Sequence, residues 1–159
     1  KSSALNALAE NRKLARTSRT PGRTTEINLF RVNEDLRLLD LPGYGFAKSD
    51  KSKKKDWGPM LGEYFQKRQS LKAVVIFMDI RHPLKEIDID MIGLCNDFDI
   101  EFLLVLTKSD KVSNNETFKA KQEVQKKTGV KEILTISALK DHGIKELRAH
   151  LISYSSKNE

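Results

Sequence analysis

From residue 71 onward the sequence repeats one pattern: an apolar run of strand length, then a segment with helical spacing. Residues 71–80, 102–106 and 130–136 read as strands, and residues 84–98, 115–128 and 144–154 as helices. The first two strand runs are apolar enough to be covered on both faces. Ile87, Met91, Ile92 and Cys95 fall on the inward side of one helix, and Gly129 is a natural helix stop. Strand and helix alternating three times predict an α/β fold: a mostly parallel sheet with a helical layer on each face. In such sheets ligands bind outside the carboxyl ends of the strands. The loops after residues 80, 106 and 136 are therefore where chemistry is expected.

The first part of the chain is organised differently. Residues 3–15 read as a helix with Leu5, Leu8 and Ala9 on one face, followed by a loop over 17–25 that Pro21-Gly22 breaks. Residues 26–32 alternate apolar and polar. Asn33-Glu34-Asp35 is a short turn, so the strand at 36–41 is expected to run antiparallel to its predecessor. Pro42-Gly43-Tyr44-Gly45 opens a second loop, and residues 51–69 read as a helix with Trp57, Leu61, Tyr64 and Phe65 inward. A length of 159 residues suits one domain, 1–159, with one core. Residue 1 is Lys, followed at once by helix-forming residues, so the sequence is expected to be N-terminally truncated. No apolar run approaches the roughly 18 residues of a membrane helix, so no membrane partner is expected. The single cysteine, Cys95, sits among apolar neighbours as a core thiol would, and it fits a reducing cytoplasm.

Four short motifs stand at the predicted strand ends or helix starts. Thr107-Lys108-Ser109-Asp110 follows the buried run 102–106. A carboxylate there can accept two hydrogen bonds side by side, from N1–H and the N2 amino group of guanine, and adenine offers no such donor pair. Lys108 can lay its aliphatic stem along the base. Read alone, the same four residues could be a turn with a helix-capping Asp. Asp40-Leu41-Pro42-Gly43 ends the second strand. An Asp there can hold Mg²⁺ through water, and Gly43 lets a backbone N–H approach a terminal phosphate. Ser137-Ala138 follows the last strand, where backbone N–H groups could meet guanine O6. Lys1-Ser2, before a helix, would be the tail of a G-x-x-x-x-G-K-[ST] phosphate loop. His82, His142 and His150 are too scattered for a metal triad.

With those motifs in that order, the chain resembles the EngB/YihA group of small bacterial GTPases. The resemblance rests on Thr20-Pro21-Gly22-Arg23-Thr24, Asp40-Leu41-Pro42-Gly43-Tyr44-Gly45-Phe46-Ala47, Asp79-Ile80-Arg81-His82 and Thr107-Lys108-Ser109-Asp110. It covers essentially the whole chain and implies a P-loop GTPase fold. The sheet would be mostly parallel with one antiparallel edge strand, its first strand and most of the phosphate loop lying ahead of residue 1. By the family pattern Lys1 contacts the outer phosphates, and Ser2 and Thr24 (next to Thr25) bind Mg²⁺, with Asp40 joining through water. Asp40 and Gly43 sense the terminal phosphate, so residues 17–25 and 43–55 are the switches. The implied GTP or GDP contacts extend to Ser3, Gly22, Arg23, Leu41, Pro42, Ser109, Ala138 and Leu139. Asp79 and Arg81 are expected to be structural and to position the switches.

Two further expectations concern activity and partners. Tyr44 stands where many GTPases carry a water-orienting Gln, so intrinsic hydrolysis should be slow, with a partner or a monovalent cation completing the site. Thr24 and Gly43 would contribute to catalysis, and no general base is named. Residues 1–70 hold 15 Lys and Arg against 8 Asp and Glu, whereas residues 71–159 hold 14 of each. The whole excess of +7 therefore lies in residues 1–70, where Arg12, Lys13, Arg16, Arg19 and Arg23 stand near the first switch and Lys48, Lys51, Lys53, Lys54 and Lys55 at the second. The family's role in large-subunit ribosome assembly makes ribosomal RNA or a ribosomal particle the expected partner of the basic residues in 12–23 and 48–55, for a protein otherwise monomeric. The alternatives are a non-hydrolysing RNA- or protein-binding module on a degenerate P-loop fold, and another translation-factor-related GTPase.

Overall fold

The computed structural model describes residues 2–8, 28–31, 35–41 and 51–156; for residues 2, 28–31 and 51–57 it describes the backbone path only. Ser2–Leu8 forms α1. Asn28–Arg31 (β1) and Arg37–Asp40 (β2) pair antiparallel, with Leu29 opposite Leu39 and Phe30 opposite Leu38. Lys51–Lys67 is α2, a continuous helix that carries Pro59. Proline has no N–H to give the preceding turn. Leu61 and Phe65, buried just beyond it, supply packing that offsets the loss.

The second part alternates as the sequence predicts: Val74–Asp79 (β3), Glu86–Asp97 (α3), Phe102–Thr107 (β4), Asn114–Thr128 (α4), Ile133–Thr135 (β5) and Ile144–Ser155 (α5). β3, β4 and β5 form a parallel sheet in that order. Its two faces bury separate cores. Ile76, Met78, Leu104, Leu106 and Ile133 pack with Leu61, Phe65, Met91, Cys95 and Val124 of α2, α3 and α4. Leu103, Val105 and Leu134 pack with Ala4 and Leu8 of α1 and with Ile144, Leu147 and Leu151 of α5. Neighbouring residues of one strand thus feed opposite cores, as the two-residue strand period requires.

One strand departs from the sequence reading. β5 has three residues rather than the seven of 130–136. Gly129 caps α4 in the left-handed region at φ 73°, and the backbone just after it serves the helix end. Val130 N–H donates to Thr128 Oγ1 at 3.2 Å, and Lys131 C=O accepts from Gln125 Nε2 at 2.6 Å. The expected antiparallel strand is present as β1, paired with β2; among the described residues this pair is a two-stranded sheet separate from β3, β4 and β5. A cavity of about 620 Å³ lies between it and β3, walled by Leu38 and Leu39 on one side and Val75 and Phe77 on the other.

Helix ends explain why the elements stop where they do. Ser113 Oγ accepts from Glu116 N–H at 3.2 Å, and Glu116 Oε2 accepts from Ser113 N–H at 2.7 Å, a reciprocal cap that starts α4. Gly143 starts α5 at φ 72°, and a Cβ there would lie 2.3 Å from Thr135 C=O. At Gly129 a Cβ would meet nothing within 4 Å. Gly129→Ala should therefore cost about 1–2 kcal/mol, the left-handed penalty alone. Gly143→Ala should cost at least about 3 kcal/mol, because a backbone clash adds to that penalty. Urea unfolding of both variants measures the difference; equal losses would show that the contact with Thr135 is relieved at no cost.

Candidate functional site

Because β3, β4 and β5 are parallel, their carboxyl ends share one edge of the sheet. Asp79, the last residue of β3, is in register with Thr107, the last of β4. Thr107 Oγ1 donates to Met78 C=O at 3.2 Å, so this hydroxyl stitches β4 to β3. The chain then turns sharply. Lys108 adopts left-handed φ 61° and ψ 37°, and Ser109–Lys111 forms one 3₁₀ turn. Ser109 N–H donates to Ile136 C=O at 3.1 Å, which ties the turn to the loop after β5.

That tie brings two sequence-predicted segments together. Ser137 Oγ donates to Asp110 Oδ1 at 2.6 Å and accepts from Lys140 N–H at 3.1 Å. The hydroxyl is thereby oriented: its hydrogen goes to Asp110 and its lone pair to the backbone. Backbone hydrogen bonds from Ser137 N–H to His142 C=O at 2.9 Å, and back from His142 N–H to Ser137 C=O at 3.0 Å, close the intervening loop. Ala138 is half-buried in it, and Leu139 stands at its tip, 74% exposed. The Asp110 side chain is only 9% exposed, yet its pKa lies below the ordinary carboxylate value. The Ser137 hydroxyl is the main cause, with the local backbone, Lys111 and Lys140 assisting and desolvation opposing. Two carboxylate oxygens offer about four acceptor positions, of which Ser137 uses one.

A second carboxylate flanks this cluster. Asp79 Oδ1 accepts from Arg81 N–H and Arg81 Nε, each at 3.0 Å, and Oδ2 accepts from Arg81 NH2 at 2.8 Å. Lys108 Nζ lies 3.1 Å from the same Oδ2. These contacts, the Arg81 side chain first, hold Asp79 well below the usual carboxylate range despite partial burial.

The other predicted residues are placed less completely. Asp40 and Leu41 stand at the end of β2, where Asp40 Oδ1 is buried and Leu41 packs against the α2–α4 core. Ser3 is exposed on α1. Lys1, Gly22, Arg23, Thr24, Pro42, Gly43 and Tyr44 lie outside the described residues, as does the side chain of Ser2. So do Arg12, Lys13, Arg16, Arg19 and Lys48, and the side chains of Lys51, Lys53, Lys54 and Lys55. Among the described residues no three His, Cys, Asp or Glu side chains converge as metal ligands. Asp40 does offer the hard oxygen donor that Mg²⁺ takes, and Mg²⁺ needs few protein ligands because it keeps its water. Also among the described residues, no helix is long and apolar enough to cross a membrane.

Sequence reasoning missed three things here. It assigned Ser137 a backbone role and overlooked its hydroxyl. It gave Gly143 no role, although a glycine directly before a helix after a polar loop was a usable signal. It read Asp79 and Arg81 as structural supports of the switches, most of which lie outside the described residues, and did not foresee the contact of Asp79 with Lys108.

Comparison with known proteins gives concordant results. The profile of the family described as 50S ribosome-binding GTPase matches residues 1–108. A probable GTP-binding protein EngB of Alteromonas mediterranea is 49% identical over 151 residues, covering 92% of this chain and 71% of the relative. A protein of the same description from Shewanella sediminis is 53% identical over 129 residues, 81% of this chain and 59% of that one. A crystal structure of a probable GTP-binding protein EngB superposes with a TM-score of 0.78 at 18% identity, covering 99% of this chain and 94% of the other.

Removing the Ser137 hydroxyl should raise the Asp110 pKa toward the ordinary value, because the lost bond favoured the ionised form. The stability that this bond contributes exists above the ordinary carboxylate pKa and is lost as pH falls through the lower folded value. Ser137→Ala should thus be less stable at neutral pH, with the deficit closing in acid. Carboxyl-carbon NMR titration reads the shift directly; an unmoved Asp110 would assign its low pKa to the local backbone and the nearby lysines.

Proposed function

Because this chain belongs to the 50S ribosome-binding GTPase family and is an EngB-type member of it, we propose that it is a guanine-nucleotide switch. It hydrolyses GTP to GDP slowly, and its nucleotide state governs contact with the assembling large ribosomal subunit. The observation that carries the base assignment is the Ser137–Asp110 pair. It gives a shielded carboxylate, fixed in direction and kept ionised, at the carboxyl edge of a parallel sheet. An ionised carboxylate accepts from both N1–H and the N2 amino group of guanine. Lys108 and Leu139 supply apolar surface on either hand, and the backbone of Ser137-Ala138 supplies donors for O6. An adenine there would leave buried acceptors unmatched, which is costly.

The phosphate end follows the family pattern and is proposed on that basis. Lys1 and Gly43 would meet the outer phosphates. Ser2, Thr24 and Asp40 would hold Mg²⁺, the hydroxyls directly and Asp40 through water. That ion, when bound, would neutralise charge on the phosphate oxygens. Tyr44 gives no carboxamide to orient water, so a partner or a monovalent cation would complete the catalytic set. The family pattern also places a strand ahead of Lys1. The cavity between β2 and β3 supports a place for it, since an apolar strand of six residues, about 20 Å long, matches the length of β3.

The basic residues of 12–23 and 48–55 adjoin both switches, so nucleotide state can present or withdraw them. Contacts to RNA phosphates predict binding that weakens as salt rises. Large-subunit particles should pellet with the GTP-bound form and much less with the GDP-bound form; equal pelleting in both states would refute the switch.

The base reading has its own test. Asp110→Asn replaces a double acceptor by one acceptor and one donor, which suits the C2 carbonyl of xanthine. GDP affinity should fall at least about a hundredfold, and xanthosine diphosphate should become the better ligand. Titration with fluorescent nucleotides, with ADP as a competitor, measures both. Displacement by ADP as easily as by GDP would favour the degenerate, non-hydrolysing alternative.

A further inference from the structure

We propose that Asp79 is a positioning residue for guanine recognition: its carboxylate clasps the Lys108 ammonium and the Arg81 guanidinium together, keeping both cations off Asp110. This rests on the proposed guanine site. Asp79 and Thr107 end adjacent strands in register, so the carboxylate stands beside the start of the recognition turn. Arg81 meets it as a fork, Nε to Oδ1 at 3.0 Å and NH2 to Oδ2 at 2.8 Å, and its own backbone N–H adds a third bond. A carboxylate gripped in this way cannot rotate. Lys108 reaches across from β4 and lands on Oδ2 at 3.1 Å.

Two consequences follow from that geometry. The Lys108 backbone sits in the left-handed region, and its side chain is anchored at the far end, so its four-carbon stem is stretched between two fixed points. That stem becomes a defined apolar edge against which a planar base can lie. An exposed lysine without such an anchor would spread over many rotamers. The second consequence is electrostatic. Arg81 lies within the field of Asp110, and Asp110 also has Lys111 Nζ at 3.9 Å. With Asp79 neutral, Arg81 and Lys108 would be free to turn to Asp110 and occupy the acceptor positions that the base needs. Asp79 thus acts through its neighbours and need not touch the nucleotide.

The test uses Asp79→Asn, which keeps shape and removes charge, and Lys108→Met, which keeps most of the stem and removes the ammonium. Dissociation constants are measured for GDP and for inosine diphosphate, which lacks the N2 amino group. Asp79→Asn should weaken both nucleotides by the same factor, roughly 5- to 20-fold, mainly through faster release. Adding Lys108→Met to it should change little, because the two act as one unit, and Asp79→Glu should recover part of the loss. An unchanged dissociation constant in Asp79→Asn, or fully additive losses in the double variant, would overturn the proposal. If Asp79→Asn unfolds, Lys108→Met alone decides: a similar loss supports the clasp, and no loss overturns it. Failure of the wild type to bind either nucleotide would remove the guanine reading itself, a separate result from a silent variant.

Discussion

The interior of β4 is the constraint on which the rest depends. Leu103, Leu104, Val105 and Leu106 are each 4% exposed or less. Alternate members feed opposite cores, so a slip of one residue would send every side chain to the wrong layer. Burying one such side chain is worth about 1.5–3 kcal/mol, and register is therefore strongly fixed. Hydrogen bonding to β3 and β5 carries that precision sideways, to Asp79 on one side and to Ile136-Ser137 on the other. The Lys108 turn begins where this strand ends, so apolar packing sets its position.

On that base the polar groups do a different job, which is to choose direction. The Lys108 backbone is held in a conformation that costs a lysine about 1–2 kcal/mol. The hydrogen bond from Ser109 N–H to Ile136 C=O and the ion pair to Asp79 keep it there. Ser137 links the two loops by one shared hydroxyl, taking a bond from the backbone and giving one to Asp110. The loop that carries Ser137 can close only because residue 143 has no side chain. A Cβ there would strike Thr135, the last residue of β5. Orientation of the Asp110 carboxylate thus traces back to a glycine far along the chain from it.

Much of this was legible in the sequence, and the reasons are physical. Periodicity and turn residues report burial and chain reversal, so the three strand–helix pairs, the antiparallel pairing of β1 with β2 and the stop at Gly129 could be read from them. The positions of Thr107 to Asp110 and of Ser137 followed from the rule that parallel strands present loops at one edge. Pair contacts between distant segments were not legible. Nothing in the letters around Ser137 says that its hydroxyl, rather than its backbone, faces Asp110. Asp79 and Lys108 are joined through strand register, which a single sequence does not encode locally. The shortness of β5 was hidden for a similar reason. The apolar run 130–136 has strand composition, but a helix end had claimed the backbone of its first residues.

The distribution of charge and of packing divides the molecule in a consistent way. Residues 71–159 carry balanced charge and the parallel sheet with the loops proposed to recognise the base. Their acidic groups at the carboxyl edge of the sheet are kept ionised by local donors, so the proposed specificity for the base would not depend on the protein's overall field. Residues 1–70 carry the whole positive excess and the motifs assigned to phosphates and switches. A long-range positive field suits polyanions of any sequence, whether nucleotide phosphates or an RNA backbone. On the proposed reading, separating the two would let a change at the phosphates alter the presentation of positive charge while the base stays clamped. That is the physical requirement for a switch that keeps its nucleotide through the step it reports.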